Sequence, residues 1–131
     1  MNQQTIDAIE RATKGSLDGS MNFPQVIDTL LHVGVSRYRV DYERGEKVVY
    51  LRTGESLVEA IPMPTEPIAE AFSAPEVGAA VRASQTEGQS FPDFVIRTRK
   101  AGCIGYTAYL DGRKVVYTGR LGEEHVELFP N

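Results

Sequence analysis

Residues 34–62, GVSRYRVDYERGEKVVYLRTGESLVEAIP, and residues 102–130, GCIGYTAYLDGRKVVYTGRLGEEHVELFP, indicate the architecture because they resemble each other. The two stretches have equal length, and we call the spacing that takes Gly34 to Gly102 the repeat offset. Identical residues recur at this offset: Gly34 and Gly102, Tyr38 and Tyr106, Arg52 and Arg120, Gly54 and Gly122, Glu55 and Glu123, Val58 and Val126, Glu59 and Glu127, and Pro62 and Pro130. Such self-similarity at a fixed period predicts an internal duplication.

The similarity extends towards the N-terminus, where Phe23-Pro24 matches Phe91-Pro92 at the repeat offset. We predict a single domain over 1–131 with one copy at 5–62, a second at 73–130, and a connector at 63–72. The sequence KVVY occurs at 47–50 and at 114–117, and it aligns only if one residue is dropped from the second copy. Thr118 then restores the original spacing.

Each copy begins with signals for two helices. Thr5 and Ser73 are favourable N-cap residues for the first helix of each copy. The second helix is opened by 22–25 and 90–93, in which a capping residue precedes Phe-Pro. Gly34 and Gly102 are expected to end these helices.

Three strands follow in each copy, at 35–42, 46–52 and 56–61 and at 103–110, 113–119 and 124–129. Turn chemistry at 43–45 and 111–112 predicts two cross-strand pairs on the helix-facing side, Tyr38 with Tyr50 and Tyr106 with Tyr117. Two further pairs are expected beside them, Val40 with Val48 and Ala108 with Val115. The opposite, more polar face is expected to carry Arg37, Arg39, Asp41, Lys47, Cys103, Thr107, Tyr109 and Lys114. The predicted fold is therefore α+β, an ααβββ unit occurring twice with antiparallel strands packed on helices and pseudo-two-fold symmetry. The pattern does not predict whether the two sheets join edge to edge or face to face.

Composition excludes several functional classes. The chain has 41% hydrophobic and 24% charged residues, which is typical of a folded soluble protein. A net charge of −4 disfavours a nucleic-acid binder that works by bulk charge. No apolar run is long enough to span a bilayer, and the N-terminus lacks a signal-peptide layout, so we expect a cytoplasmic protein without membrane contact. One cysteine and two histidines predict neither a disulfide nor a metal site, and no motif implies a cofactor.

Differences between the copies identify a candidate catalytic set. Cys103 replaces Val35 of the first copy, and His125 replaces Leu57. With Glu127 on the same strand face, these residues offer a nucleophile, a base and an orienting carboxylate. Alternatively, the cysteine is a small buried residue and the histidine a partly exposed strand residue. In a simple meander the two lie about 9–10 Å apart, so this chemistry depends on strand order.

A candidate ligand-binding set lies on the polar face of the sheet, which Tyr109 shares with Thr107 and Lys114. Basic residues are also concentrated in the second copy. Residues 91–120 hold six basic and two acidic side chains, whereas residues 53–90 hold one basic and six acidic side chains. This asymmetry indicates a site for an acidic partner or phosphate-bearing ligand. The alternative is that basic residues at a helix end complement its dipole.

The runs 101–106, 112–117 and 122–130, with Phe23-Pro24 and Gly34-Val35 upstream, resemble the YbcV-like family of small bacterial proteins. The resemblance covers nearly the whole chain and is most specific in the C-terminal segment. It implies a bacterial or prophage origin, since some members carry the label "phage envelope protein". It supplies no catalytic residue, because the family has no established reaction.

Three functions are therefore considered. We favour a non-catalytic module that binds a small molecule or a protein, because the sequence contains no established catalytic motif. The alternatives are a small cysteine-dependent enzyme using Cys103, His125 and Glu127, and a structural or accessory component of a phage or prophage. Unpaired sheet edges would also allow a homodimer.

Overall fold

The computed structural model describes residues 1–130, which form four helices and six strands. The elements are α1 Gln3–Asp18, α2 Phe23–His32, β1 Val35–Asp41, β2 Glu46–Leu51, β3 Ser56–Ala60, α3 Ala74–Thr86, α4 Phe91–Lys100, β4 Cys103–Tyr109, β5 Lys114–Gly119 and β6 Glu124–Leu128. Asn131, the last residue of the predicted domain, lies outside the described residues. The α+β class and the element order match the prediction.

Side chains at the helix starts explain where the helices begin. In α2, Asn22 and Gln25 form a reciprocal capping box. Ser73 and Ser90 cap α3 and α4, as expected. The predicted Thr5 cap is wrong, because Asn2 accepts a hydrogen bond from the Thr5 backbone N–H and starts α1 almost one turn earlier.

All strands join one antiparallel sheet of order β3-β2-β1-β4-β5-β6. The two sets of three strands therefore meet edge to edge, through β1 and β4. Arg39 lies opposite Thr107 at the middle of this junction.

The three strands of the first half and α2 each recur in the second half at the repeat offset, without a gap. The one-residue gap proposed at the KVVY sequences is consequently wrong. Lys47 pairs with Val40 on the helix side, whereas Val115 occupies the corresponding pair with Ala108. Lys114 precedes that position and lies on the other face.

The register prediction is confirmed for the second half, where Tyr106 pairs with Tyr117, and is wrong by one residue for the first. There Tyr38 pairs with Val49, and Tyr50 lies on the face away from the helices. The reason is Tyr42, which leaves the β1–β2 ladder and is 2% exposed. Its hydroxyl forms a 2.8 Å hydrogen bond with Thr98 Oγ1 in α4. The loop spans the four residues 42–45, one more than its turn residues suggest, and the loop at 110–113 has the same length.

The four helices pack on one face of the sheet around a single apolar cluster. Ile9 and Leu30 contribute from α1 and α2, and Val77 and Phe94 contribute from α3 and α4. The opposite face of the sheet carries no helix among residues 1–130. Within the same residues, no helix is both long and apolar enough to cross a membrane.

Candidate functional site

The structure brings together only two members of the predicted Cys-His-Glu set. His125 Nε2 lies 2.7 Å from Glu127 Oε1 on β6. Cys103 lies on β4, and β5 separates the two strands. At about 4.8 Å per strand, this separation is far beyond a nucleophile–base hydrogen bond.

The surroundings of Cys103 also oppose thiolate formation. Its side chain is fully buried, and Sγ donates a hydrogen bond to the Gly105 carbonyl at 3.1 Å. Burial raises the pKa of the Cys103 thiol to about 11. Because the thiolate is the reactive form, this cysteine has the environment of a core residue.

The His125 ring lies between Tyr117 and helix α3. It lies 6.5 Å from the ring of Tyr117. On the other side is α3, where a Cβ placed on Gly78 would come within 3.4 Å of His125 Nε2. His125 therefore packs against α3, while its hydrogen bond to Glu127 lies within β6.

The predicted ligand-binding residues lie together on the uncovered side of the sheet, which we call the open face. Its central row crosses all six strands: Val58, Val48, Arg39, Thr107, Val116 and Val126. A second row runs beside it: Ser56, Tyr50, Arg37, Tyr109, Lys114 and Leu128. Thr107, Tyr109 and Lys114 are thus joined by two arginines from β1.

Cations occupy the middle of the open face. The Arg37 guanidinium lies 4.1 Å from the centroid of the Tyr50 ring, and Lys114 Nζ lies 5.9 Å from that of Tyr109. Arg39 projects from the junction of β1 and β4 and is exposed. Within the described chain, none of the three forms an ion pair with a carboxylate.

Apolar side chains flank these cations at both ends of the central row and at the β6 end of the second row. Val58 is 57% exposed on β3, and Leu128 is 73% exposed on β6. Val126 is also exposed. The open face therefore combines three central cations with two apolar flanks, and the row on the other side of Arg39 carries the carboxylates of Asp41, Glu46 and Glu124.

A depression of about 120 Å³ adjoins Arg39 and Thr107 and is also lined by Asp41 and Thr118. It forms at Gly105, where a Cβ would overlap the carbonyl oxygen of Val40 on the neighbouring strand. Glycine is required at this position because β1 approaches so closely.

Two basic residues of the second half bind backbone carbonyls of the same chain. Arg99 donates to the backbone carbonyls of Glu66 and Tyr42, and Arg120 donates to those of Ile68 and Ala69. These residues hold the 63–72 connector against the sheet and α4. The charge asymmetry along the sequence thus has an internal explanation, apart from Lys114 on the open face.

Sequence reasoning missed a second polar cluster, on the helix side of the first half. Lys47 is 5% exposed, and its Nζ lies 3.0 Å from Thr13 Oγ1 on α1. Thr13 in turn donates to Glu59 Oε1 at 2.7 Å. Because the predicted register of β2 is wrong by one residue, Lys47 is assigned to the polar face. The unexpected length of the 42–45 loop therefore conceals the burial of this lysine from sequence analysis.

Within residues 1–130, no group of three His, Cys, Asp or Glu side chains converges to hold a metal ion. A scan against models of known protein families and a search of curated proteins each returned no match.

Proposed function

We propose that this protein is a non-catalytic binding module whose open face takes a protein segment with acidic side chains set between apolar ones. The observation that supports this proposal is the set of three cations, Arg37, Arg39 and Lys114, which form no carboxylate ion pair within residues 1–130 and lie at the centre of an uncovered sheet. Charge complementarity at such a surface favours an acidic partner and sets its orientation.

The apolar flanks supply the second part of the recognition. Val58 on one side and Val126 and Leu128 on the other are large exposed hydrophobic residues on the same face. Grouped exposed apolar side chains are typical of interaction surfaces. A partner that reaches across the sheet would bury both flanks and neutralise the centre.

A second copy of the chain is a poor occupant of the open face. Two such faces brought together would place their cations against each other, and like charges repel. The free edges of the sheet, β3 and β6, carry Glu59, Glu124 and Glu127. Charged residues on edge strands oppose strand pairing, so a homodimer gains no support from either surface.

We also propose that the two halves derive from an internal duplication and are related by an approximate two-fold axis. The constant repeat offset between corresponding strands supports this relationship. Arg39 and Thr107 are separated by the same offset and lie opposite each other at the centre of the β1–β4 junction, where such an axis would pass. The cysteine-dependent enzyme and the phage component stay hypotheses, since no observed contact favours either.

The binding proposal is tested with three labelled probes: a dodecapeptide alternating glutamate and leucine, a peptide alternating lysine and leucine, and a single-stranded thymidine oligonucleotide of equal length. Fluorescence anisotropy should show binding of the glutamate peptide that weakens as salt is added, because salt screens exposed charges. Preference for the lysine peptide or the oligonucleotide would overturn the proposal.

Charge reversal locates the site. Arg39→Glu should weaken binding of the glutamate peptide about tenfold, equivalent to about 1.4 kcal/mol. Arg11→Glu makes the same change in net charge at an exposed position of α1, away from the open face. Equal effects of the two substitutions would show that binding follows net charge and not this surface.

A further inference from the structure

Lys47 is the buried member of the four lysines in this sequence. Lys14 and Lys100 are exposed, and Lys114 is half-buried on the open face. A buried amine is rare because removing its charge from water costs free energy, so its persistence requires specific partners.

Those partners form a chain of hydrogen bonds that joins the amine to a carboxylate. Lys47 Nζ lies 3.0 Å from Thr13 Oγ1, and the Thr13 hydroxyl donates to Glu59 Oε1 at 2.7 Å. The amine also lies 4.5 Å from the centroid of the Tyr38 ring. The threonine hydroxyl therefore connects the nitrogen to a proton acceptor.

A small cavity adjoins the amine between α1 and the sheet. Its volume is about 20 Å³, and its lining includes Thr13, Ser16, Leu17, Tyr38 and Ile61. This volume accommodates one water molecule or a group of similar size. The amine thus faces a space that admits only a very small reactant.

We propose that Lys47 is a reactive amine that condenses with a one-carbon aldehyde in this cavity to form an imine. The nitrogen lone pair attacks the carbonyl carbon, and the C–O π electrons move to oxygen. The nitrogen then loses a proton to Thr13, which passes its own proton to Glu59. Glu59 returns that proton through Thr13 to the alkoxide, which becomes a hydroxyl. The second nitrogen proton reaches the hydroxyl by the same route, the C–O bond breaks as the C=N bond forms, and the oxygen leaves as water. Amine and aldehyde thus give imine and water without an oxidant or reductant.

Electrostatics around the amine agree with this chemistry. Burial lowers the pKa of Lys47 from 10.5 to about 8, although the nearby Glu59 carboxylate opposes that shift. Burial also raises the pKa of Glu59, which Glu10 on α1 reinforces. Tyr38 and Tyr106, the titratable groups on the sheet beside the cavity, stay neutral because burial raises the pKa of each. At pH 7 a larger fraction of Lys47 is therefore neutral and nucleophilic than of an ordinary lysine.

The positions related by the repeat offset contain no counterpart of this pair. Val115 replaces Lys47, and Val81 replaces Thr13, while Glu127 is retained and paired with His125. The amine and its hydroxyl partner thus occur together in one half and are absent together from the other. This inference concerns the helix side of the sheet and is independent of the proposed binding function.

The test is reductive methylation of the full chain with formaldehyde and cyanoborohydride at pH 7, which traps the imine. Initial rates at Lys14, Lys47, Lys100 and Lys114 are measured on peptides by mass spectrometry. The lowered pKa of Lys47 corresponds to a neutral fraction about 300-fold larger than that of an ordinary lysine. Allowing for burial, we expect labelling at Lys47 to be at least about tenfold faster than at the other three. A rate no faster than theirs would overturn the proposal.

Two variants of Thr13 distinguish the effect of its hydroxyl on the labelling rate of Lys47 from the effect of burial. Thr13→Val removes the hydroxyl and should slow labelling of Lys47 about tenfold without changing the other lysines, whereas Thr13→Ser should retain the native rate. Unchanged labelling in Thr13→Val would exclude proton transfer through this hydroxyl. If that variant does not fold, the comparison of four lysines in the native chain still decides the proposal.

Discussion

The two halves of the sheet have the same strand spacing but different interiors on their helix-facing sides. In the first half, Lys47 and Thr13 form a buried polar chain to Glu59 beside a water-sized cavity. In the second half, Val115 and Val81 occupy the corresponding positions. The comparison shows that one backbone arrangement accepts either a polar or an apolar interior, provided that the polar version satisfies its own hydrogen bonds.

Aromatic packing shows the same contrast. In the second half, Tyr106 and Tyr117 lie 5.3 Å apart between ring centroids, and Phe94 lies 6.0 Å from Tyr117. The repeat offset relates Phe94 and Tyr117 to Val26 and Val49 of the first half. At these two positions the second half therefore has the larger side chains, whereas the first half has a cavity and a buried amine.

The largest expected effect is on the aromatic cluster. Phe94→Ala should lower the free energy of unfolding by about 3–5 kcal/mol, because it removes a buried ring from between two others. Val26→Ala, at the corresponding position, should cost only about 2 kcal/mol. Urea titrations of both variants measure the difference, and equal losses would contradict the contrast in packing.

The next effect is the pH dependence of stability due to Lys47. Its pKa is lowered from 10.5 to about 8 in the folded protein, so between these pH values the unfolded chain binds more protons. The free energy of unfolding contributed by this residue therefore rises with pH in that window. Relative to Lys47→Met, the native chain should gain about 2 kcal/mol between pH 7.5 and 10. A difference that stays constant over this range would show that Lys47 titrates normally.

A smaller loss is expected for Thr13→Val. The substitution leaves the Lys47 amine without its hydroxyl partner, which should cost about 1–2 kcal/mol in thermal or urea unfolding. Val81→Thr is the matched control in α3, where a new hydroxyl would be buried beside apolar residues, at a similar cost. Stabilisation by Val81→Thr would show that the second half already offers a hydrogen-bond partner.

The smallest expected effect is that of substituting Arg52 or Arg120, two arginines at positions related by the repeat offset. Arg52 forms an exposed ion pair with Asp111, so Arg52→Gln should leave the urea midpoint unchanged within error. Arg120 donates to the backbone carbonyls of Ile68 and Ala69, so Arg120→Gln should increase the rate of proteolysis within the connector. Equal proteolysis of both variants would contradict the anchoring role of Arg120.

Helix caps could be predicted from the sequence in both halves, whereas strand register could be predicted only in the second half. Caps at Asn22, Ser73 and Ser90 depend on local hydrogen bonds, and the structure confirms each of them. The register of β4 and β5 was also predictable from their turn. The register of β1 and β2 was not, because 43–45 resembles a three-residue turn whereas the loop spans the four residues 42–45.

The candidate sites show the same division. Thr107, Tyr109 and Lys114 could be assigned to one polar face from strand alternation alone. The two arginines that join them come from β1, in the other half of the chain, and no local pattern indicated that β1 and β4 pair. The separation of Cys103 from His125 likewise depends on strand order.

By itself, the sequence determined the element types, most helix caps and the faces of most strand residues outside β2, since these depend on side chains a few positions apart. Only the tertiary structure decided the edge-to-edge junction of β1 with β4, the burial of Lys47 and the cationic centre of the open face. Each of these depends on contacts between residues far apart in the chain, whose free energy is realised only when the whole sheet and its helices pack together.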